Sequence, residues 1–493
     1  MSEPAALTET HTAVLLFIGD RAWKIKKPVD LGFLDYSTVA SRREAAHREV
    51  ELNRRLAPDV YLGVADVIGP DGHLCDHVVV MRRMPSDRRL SLCVTRRDDV
   101  DDAVRQVARD LARLHEGKPT DRAWSHVGST GYIAELWRQC FTQLRRGRDS
   151  LFRGEQLDRA EELVRRYLDG RNDLFEQRIA AGRIRDGHGD LQADDIFVLP
   201  DGPRILDCIE FSDELRWGDV LNDVAFLAMD LERLGAPALA ARLLAWHREF
   251  SADTWPESLA HHYIAYRAAV RAKVSSIRHE QGDSHAADLA RSLLGLAVDH
   301  LERGRVRLVL IGGLPGTGKS TLAAALADQL PVVVLRTDEL RAGHAKQGGA
   351  YGEGRYAPTA VAQNYHALLD QAAPLLRSGE SVVLDGSWSR NDLRSLAAEL
   401  ARETLSDLVE LRCVAPTSIT NARIDKRALR GDDPSEATPM IAEAMAASFD
   451  PWPAASKVDT SRSLDEAVAE TLSAFGASAP PLSGTPRASG SDG

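Results

Sequence analysis

The eight residues 313–320 (GLPGTGKS) constrain this 493-residue chain more than any other segment. They fit the pattern GxxxxGK[ST] at every fixed position, directly after an apolar strand predicted over 306–312 and at the start of a helix predicted over 320–330. The glycines let backbone N–H groups converge on phosphate oxygens, and the helix N-terminus adds partial positive charge. Lys319 would reach the β- and γ-phosphates of ATP, and the Ser320 hydroxyl would bind Mg²⁺. The predicted nucleotide-binding residues here are Gly313, Pro315, Gly316, Thr317, Gly318, Lys319, Ser320 and Thr321.

Strands alternate with helices through the rest of this half. Apolar strands are predicted over 332–335, 381–386 and 408–414, with helices over 360–377 and 390–403. Such alternation is typical of a parallel, doubly wound sheet, so the sequence predicts an α/β P-loop NTPase fold. The alternative is that the GxxxxGK[ST] match is a chance glycine-rich turn.

Acidic residues follow two of these strands. In a parallel sheet, groups just beyond the carboxyl ends of the strands face the ligand crevice. Asp338 follows the second strand, where a carboxylate could take a proton from an acceptor hydroxyl. Asp385 ends the next strand and could hold Mg²⁺ or its water shell. These positions favour phosphoryl transfer over a motor-type ATPase.

A basic helix face follows. Arg423, Arg427 and Arg430 lie four and three residues apart, so they share one face of a predicted helix. Such a face suits charge that develops on a transferred phosphoryl group, and Arg427 is the predicted catalytic member. The alternative is a solvated basic face that Asp425 and Asp432 neutralise.

These features together resemble the small P-loop kinases, a group that includes gluconate kinases, shikimate kinases, polynucleotide 5′-kinase domains and zeta toxins. The resemblance covers about residues 305–475. It implies phosphoryl transfer from ATP to a hydroxyl, with Asp338 in the acceptor-side carboxylate position. No extended basic groove is evident in the sequence, so we expect a small-molecule acceptor rather than an oligonucleotide.

The N-terminal half carries a second acidic constellation. Residues 188–195 (HGDLQADD) precede a hairpin predicted over 196–206, and Asp207 follows that hairpin directly. Asp190, Asp195 and Asp207 would therefore meet, and carboxylates that close together need a cation between them or a proton on one of them. The alternative is a polar turn in which Asp190 caps a helix or turn.

The pattern HGDLxxxD, a strand and then LD resembles the catalytic and metal loops of aminoglycoside phosphotransferases and choline kinase-like enzymes, which share the protein-kinase fold. The resemblance spans roughly residues 10–300. It implies an α+β two-lobe fold in which Asp190 is the catalytic base and Asp207 binds Mg²⁺. Asp195 falls where the family has a Mg²⁺-binding Asn, so this chain adds a negative charge there.

The same resemblance implies a lysine on a small-lobe strand and a glutamate on the next helix. Ala22-Trp23-Lys24 matches the strand pattern, with Ala22 and Lys24 on one face. Lys26 also lies on that face, so either lysine could be the small-lobe lysine, and we favour Lys24. Glu49 or Glu44 on the helix predicted over 39–57 is the partner. The alternative is that both lysines lie on the exposed face of an edge strand.

The sequence thus predicts a phosphotransferase-like domain over 1–303, a P-loop kinase domain over 304–475 and a disordered Gly/Ser/Pro/Ala tail over 476–493. Such a fusion resembles proteins usually described as AAA family ATPases or ATP-binding proteins. The formal net charge of −11 argues against nucleic-acid and membrane-surface partners, which are polyanionic. Five scattered cysteines and no long apolar run indicate a reduced, cytoplasmic protein.

The leading function is ATP- and Mg²⁺-dependent phosphoryl transfer to a small-molecule hydroxyl in one or both domains. One alternative is a nucleotide-sensing regulatory protein, in which one site binds ATP without turnover and controls the other domain. Another is a toxin-like kinase that acts on a nucleotide sugar. No motif in the sequence identifies the acceptor, because acceptor pockets are built from loops.

Overall fold

The computed structural model of the chain describes residues 5–10, 12–30, 32, 34–117, 121–146, 151–342, 357–430 and 438–474. The tail predicted over 476–493 lies outside these residues. Within the described ranges, no helix has the length and apolar character needed to cross a membrane.

The strands of the N-terminal half are short to medium in length: β1 Ala6–Glu9, β2 Ala13–Ile18, β3 Arg21–Lys26, β4 Tyr61–Ile68, β5 Leu74–Arg82, β6 Ile184–Asp186, β7 Ile196–Leu199, β8 Gly202–Ile205 and β9 Trp217–Asp219. Its helices are α1 Val39–Asn53, α2 Leu90–Arg96, α3 Asp101–Glu116, α4 Thr130–Arg146, α5 Gly154–Gly170, α6 Asn172–Ala180, α7 Asp213–Arg216, α8 Val220–Arg233, α9 Pro237–Ser251, α10 Glu257–Glu280 and α11 Ala286–Arg303.

The first lobe is an antiparallel sheet of strand order β1-β2-β3-β5-β4, covered on one face by α1. Strand β3 ends at Lys26, because Pro28 lacks the N–H that a further ladder bond needs. Strand β4 is absent from the sequence prediction, since Gly63 and Asp66 interrupt its apolar run. Helix α1 ends four residues earlier than predicted.

The second lobe is helical and surrounds the predicted hairpin, which the structure forms as β7–β8 with Ile196 opposite Ile205. Helix α10 is central, with α8 and α11 packed against it. Small side chains allow this close approach, and four alanines of α10 have no exposed surface: Ala265, Ala268, Ala269 and Ala272. The hairpin is thereby held on a helical base, which fixes the loops on either side of it.

The C-terminal half alternates strands and helices: β10 Arg307–Gly312, α12 Lys319–Gln329, β11 Val332–Arg336, α13 Thr337–Ala342, α14 Pro358–Arg377, β12 Ser381–Asp385, α15 Asn391–Glu403, β13 Asp407–Val414, α16 Thr417–Arg430, α17 Pro439–Ala447, β14 Ser456–Asp459 and α18 Leu464–Ala474.

The strands of this half form one parallel sheet in the order β11-β12-β10-β13-β14. Successive residues of β10 point to opposite faces, so Leu308 and Leu310 join the core with α14 and α15 while Val309 and Ile311 join the core with α12 and α18. Burial on both faces explains the continuous apolar run of this strand. The predicted doubly wound fold is confirmed.

One hydrophobic core continues from the helical lobe into the C-terminal sheet. Polar contacts reinforce the junction: Arg171 donates to the carbonyl oxygen of Thr404, and the Ser258 hydroxyl donates to the carbonyl oxygen of Gly379 at 2.7 Å. Burial lowers the pKa of Arg171 to about 10. The contacts lie where β12 and β13 begin, whereas the GxxxxGK[ST] loop follows the other end of β10. The loop therefore lies across the sheet from the junction.

Candidate active sites

The loop between β10 and α12 requires its glycines. Gly313, Gly316 and Gly318 have φ of 136°, 78° and 82°, in the region that favours glycine. A Cβ at Gly313 would lie 2.5 Å from the carbonyl oxygen of Cys413, and one at Gly316 would lie 2.5 Å from that of Thr420. Side chains cannot fit at these two positions, so the backbone itself forms the loop surface. This geometry fits a backbone cradle for phosphate groups.

Two buried residues brace the same loop. Pro315 is buried, and Thr317 is 3% exposed. The Thr317 hydroxyl donates to the carbonyl oxygen of Leu314 at 2.7 Å, and the carbonyl oxygen of Thr317 accepts from the Thr460 hydroxyl at 2.6 Å. Thr460 follows β14 and was missed by sequence reasoning, because no motif marks it.

The start of α12 brings three predicted residues together. Lys319 Nζ donates to the carbonyl oxygen of Leu314 at 3.1 Å, and Ser320 and Thr321 follow with exposed side chains. Ser320 lies near enough to the Asp385 carboxylate to lower its pKa. Burial raises the pKa of Asp385, whereas Lys319 and Ser320 act in the opposite direction. Cation, hydroxyl and carboxylate therefore meet at the carboxyl ends of β10 and β12.

Asp338 and the arginine helix border this group. Asp338 lies half-buried in the first turn of α13, and its charge raises the pKa of Asp385. Arg423 on α16 donates to the carbonyl oxygens of Thr460 at 2.7 Å and Gly316 at 3.5 Å. Arg427 lies one turn farther along the same helix. Arg423 thus contacts the loop directly. The sequence prediction named Arg427, and not Arg423, as the catalytic member of this helix face.

In the N-terminal half, both candidate lysines bind the same glutamate. Lys24 Nζ lies 2.8 Å from Glu49 Oε1 and 2.6 Å from Asp207 Oδ1, and Lys26 Nζ lies 2.8 Å from Glu49 Oε2. Glu49 is fully buried, whereas Glu44 is exposed, so the structure places Glu49 and not Glu44 opposite the lysines. Although burial opposes the effect, Lys24 and Lys26 hold the pKa of Glu49 below its ordinary value.

A third acid joins this network. Lys26 also forms an ion pair with Glu210, whose Oε1 accepts from the Tyr36 hydroxyl at 2.7 Å. Sequence reasoning named neither Glu210 nor Tyr36 as a site residue. The sequence marks these two residues only weakly. Glu210 lies three residues after Asp207, and Tyr36 lies in the loop before α1, so neither belongs to a recognisable motif. Lys26 therefore links the small-lobe helix to the segment that carries Asp207.

The loop that carries Asp190 is fixed by a buried carboxylate. Asp223 accepts from the backbone N–H groups of His188 at 2.8 Å and Gly189 at 2.9 Å, and His115 Nε2 lies 3.1 Å from Asp223 Oδ2. Although burial opposes it, His115 helps to lower the pKa of Asp223, which remains a carboxylate. Two backbone anchors on consecutive residues leave Asp190 little freedom to move.

Asp190, Asp195 and Asp207 differ in their electrostatic surroundings. Lys24 lowers the pKa of Asp207, which has the positive φ of 67°. Burial raises the pKa of Asp190, with Arg271 the strongest opposing charge. Burial also raises the pKa of Asp195 well above its ordinary value, and Asp207 and Asp190 add to the rise. Without a cation, Asp195 is the carboxylate that most readily takes up a proton.

A cleft of about 570 Å³ opens between the two lobes of this half. Apolar side chains from the sheet and the hairpin line one part, including Leu15, Met81 and Phe197, while Lys24 and Asp207 line another. This volume is within the range of small-molecule sites, and an apolar wall beside charged groups matches the two ends of a nucleotide.

Within the described residues, no group of three His, Cys, Asp or Glu side chains could hold a metal ion alone. Magnesium usually binds one or two protein ligands together with substrate phosphates. The Ser320–Asp385 pair and the Asp195–Asp207 pair fit this second kind of site. Both arrangements suit a cation that arrives with a nucleotide.

Comparison with known proteins defines the class of each half. Residues 35–260 match the family model of the phosphotransferase enzyme family, and residues 308–452 match a model described as an AAA domain. The chain therefore joins an N-terminal aminoglycoside phosphotransferase-like domain to a C-terminal P-loop kinase domain, as the sequence predicted.

The chain belongs to a family of two-domain proteins found in mycobacteria. It is 43% identical over 469 residues to an uncharacterized protein of Mycobacterium tuberculosis strain H37Rv, covering 94% of this chain and 93% of that protein. An uncharacterized protein of Mycobacterium bovis matches with the same identity and coverage. The matched segment therefore extends across both halves of this chain.

Solved structures match each half separately. A choline/ethanolamine kinase family protein from Mesorhizobium loti is 14% identical and covers 61% of this chain and 92% of its own, with a TM-score of 0.38. A gluconokinase from Sinorhizobium meliloti is 16% identical and covers 34% of this chain and 90% of its own, with a TM-score of 0.26.

Proposed function

We propose that the N-terminal domain transfers the γ-phosphoryl group of ATP to a hydroxyl of a small molecule, and that the P-loop domain is a second ATP-dependent phosphotransferase site. The observation that carries the proposal is the convergence at one cleft of Lys24, which pairs with Glu49, and the two carboxylates Asp195 and Asp207. Titratable residues whose pKa values are shifted by burial and by a specific charge partner, and that line a cleft, are candidates for a functional site.

In the N-terminal site, Mg·ATP would supply the phosphoryl group and the neutralising cation. Lys24, oriented by Glu49, would bind the phosphates, and Asp195 and Asp207 would hold the cation. Asp190 would accept the proton as the acceptor oxygen bonds to the γ-phosphorus and the bond to the β–γ bridging oxygen breaks, which releases ADP. A pKa raised by burial makes Asp190 a stronger base for this step.

In the C-terminal site, the loop N–H groups and Lys319 would bind the phosphates, while Ser320 and Asp385 would hold Mg²⁺. Asp338 would serve as the acceptor-side base and Arg427 would meet charge on the transferred group. Support comes from the proximity of Ser320 and Asp385, which sets a hydroxyl near a carboxylate at the end of the loop.

The test is a screen of metabolite extract for phosphorylated products formed from labelled ATP by the full-length chain. Asp338→Asn removes the proposed base of the C-terminal site, and Asp207→Ala disables the N-terminal site. We expect each variant to lose the products of one site only. A wild-type chain that binds ATP at both sites but labels no product in any extract would contradict phosphoryl transfer.

A second candidate is a nucleotide-sensing protein in which one site controls the other. The continuous core between the two halves favours it, because energetic coupling between distant sites requires a physical connection such as packed side chains. The discriminating measurement is ATP affinity at one site with the other site filled or disabled. Coupling of more than about 1 kcal/mol with turnover at only one site would favour sensing.

A further inference from the structure

Helix α10 borders the loop that carries Asp190 through an arginine. Arg267 donates to the carbonyl oxygen of Gly189 at 3.2 Å, and its Nε donates to Asn222 Oδ1 at 2.9 Å. Its guanidinium lies over the Phe226 ring, 4.8 Å from the centroid. These contacts hold Arg267 rigidly and place this face of α10 immediately beside Asp190.

Arg271 lies one turn farther along the same face of α10. It is half-buried, and its charge is the strongest cationic influence on the Asp190 carboxylate. Among the residues that the structure describes, no side chain or backbone group makes a hydrogen bond or ion pair with Arg271. Arg271 therefore lies one helical turn from the arginine that contacts the Asp190 loop, and its donors are uncommitted.

Two buried arginines of this domain, Arg178 and Arg216, are paired with carboxylates, whereas the buried Arg171 is satisfied by carbonyl and hydroxyl oxygens. Arg178 binds both Asp219 and Asp253, and Arg216 binds Asp186 at 2.6 Å. Such pairing is expected, because withdrawing a cation from water without a counter-charge is costly. Arg271 lacks this compensation, and Arg267 hydrogen-bonds only amide and carbonyl oxygens.

An anion beside Arg271 would supply the missing counter-charge. The planar guanidinium offers paired N–H donors that match the oxygens of phosphate and carboxylate groups. A ligand bound there would have its other groups within reach of the Asp190 loop. A positively charged acceptor would instead meet two arginines beside the base and be repelled.

We propose that the acceptor of the N-terminal site is a small-molecule anion, a hydroxyl compound with a phosphate or carboxylate group that Arg271 binds while the hydroxyl lies at Asp190. The proposal rests on the proposed function of this site and specifies its substrate class. Arg267 acts as a positioning residue, which fixes α10 against the loop.

The test is calorimetric titration of the full-length chain, saturated with Mg²⁺ and a non-hydrolysable ATP analogue, with inorganic phosphate and separately with acetate. We expect Arg271→Gln to weaken binding of one of these anions by about tenfold or more, as for a lost charged hydrogen bond. Arg271→Lys, which keeps the charge but not the paired donors, should bind with intermediate affinity. Whichever anion shows the dependence identifies the acceptor group.

Arg278→Gln is the matched control, since Arg278 lies on the same helix and already pairs with Asp283 at 2.7 Å. It should bind anions as the wild type does. Equal affinities in wild type and Arg271→Gln, or binding of neither anion, would overturn the proposal. The proposed function is tested separately by the metabolite screen, so a failure of one remains distinguishable from a failure of the other.

Discussion

The two candidate nucleotide sites of this chain differ in how they are built. The C-terminal site is largely one continuous loop, whose backbone passes so close to Cys413 and Thr420 that glycine is required. The N-terminal site is assembled from side chains on β3, α1, the Asp190 loop and the segment after β8. A site made of backbone depends on local conformation, whereas a site made of dispersed side chains depends on the packing of two lobes. Substitutions should therefore act differently on the two sites.

We expect the largest effect on turnover when the proposed catalytic base of each site is replaced by asparagine. Asp190→Asn and Asp338→Asn should each lower turnover of their own site by about 10²–10⁴-fold with ATP affinity nearly unchanged, because an amide cannot accept the hydroxyl proton. Steady-state rates with an identified acceptor measure this. If either variant keeps the wild-type rate at its own site, that residue is not the base.

The two lysines of β3 provide a sharper test of the N-terminal site. Lys26 is 4% exposed and satisfies both Glu49 and Glu210, so Lys26→Met should destabilise folding by ~3–5 kcal/mol through the buried charges left behind. Lys24 lines the cleft, so Lys24→Met should mainly weaken ATP binding. Denaturant unfolding and nucleotide titration of both variants separate these effects. A reversed pattern would make Lys26 the phosphate-binding lysine.

The C-terminal site, whose surface is formed by backbone, should tolerate loss of Lys319 better than the N-terminal site tolerates loss of Lys24. Lys319→Ala removes one charged hydrogen bond to the phosphates and should weaken ATP binding there by ~1.5–3 kcal/mol, while the loop conformation persists because its glycines set it. Calorimetry with the N-terminal site disabled by Asp207→Ala gives the value. An unchanged dissociation constant would mean that the loop does not bind the phosphates.

The smallest expected effect is a shift in pH dependence at the N-terminal site. Burial raises the pKa of Asp190, and the base must be deprotonated, so kcat/KM should fall on acidification at a pH above the ordinary aspartate value of about 4. Arg271 opposes that rise, so Arg271→Gln should move the acidic limb to higher pH. Arg278→Gln should leave it in place. A limb that moves to lower pH in Arg271→Gln would contradict the stated influence of that charge.

The difference between the sites also explains how far sequence reasoning could go. The family of each half and the parallel sheet were predictable, because GLPGTGKS and HGDLQADD are contiguous motifs and strand–helix alternation is a local pattern. The choice between Glu44 and Glu49 was not, since both lie on α1 and only its packing against β3 exposes one and buries the other. Glu210, Tyr36, Thr460 and Arg271 were missed because their relevance depends on contacts between segments that are distant in sequence.

The continuous core between the halves has a consequence for genetics. A truncation near residue 304 would expose apolar surface on both fragments, so neither site can be removed by deletion without risk to the other. Missense changes such as those at Arg171 would likewise reduce the abundance of both sites at once. The two sites therefore depend on each other for folding. A loss-of-function phenotype can be assigned to one site only when the substitutions are confined to that site.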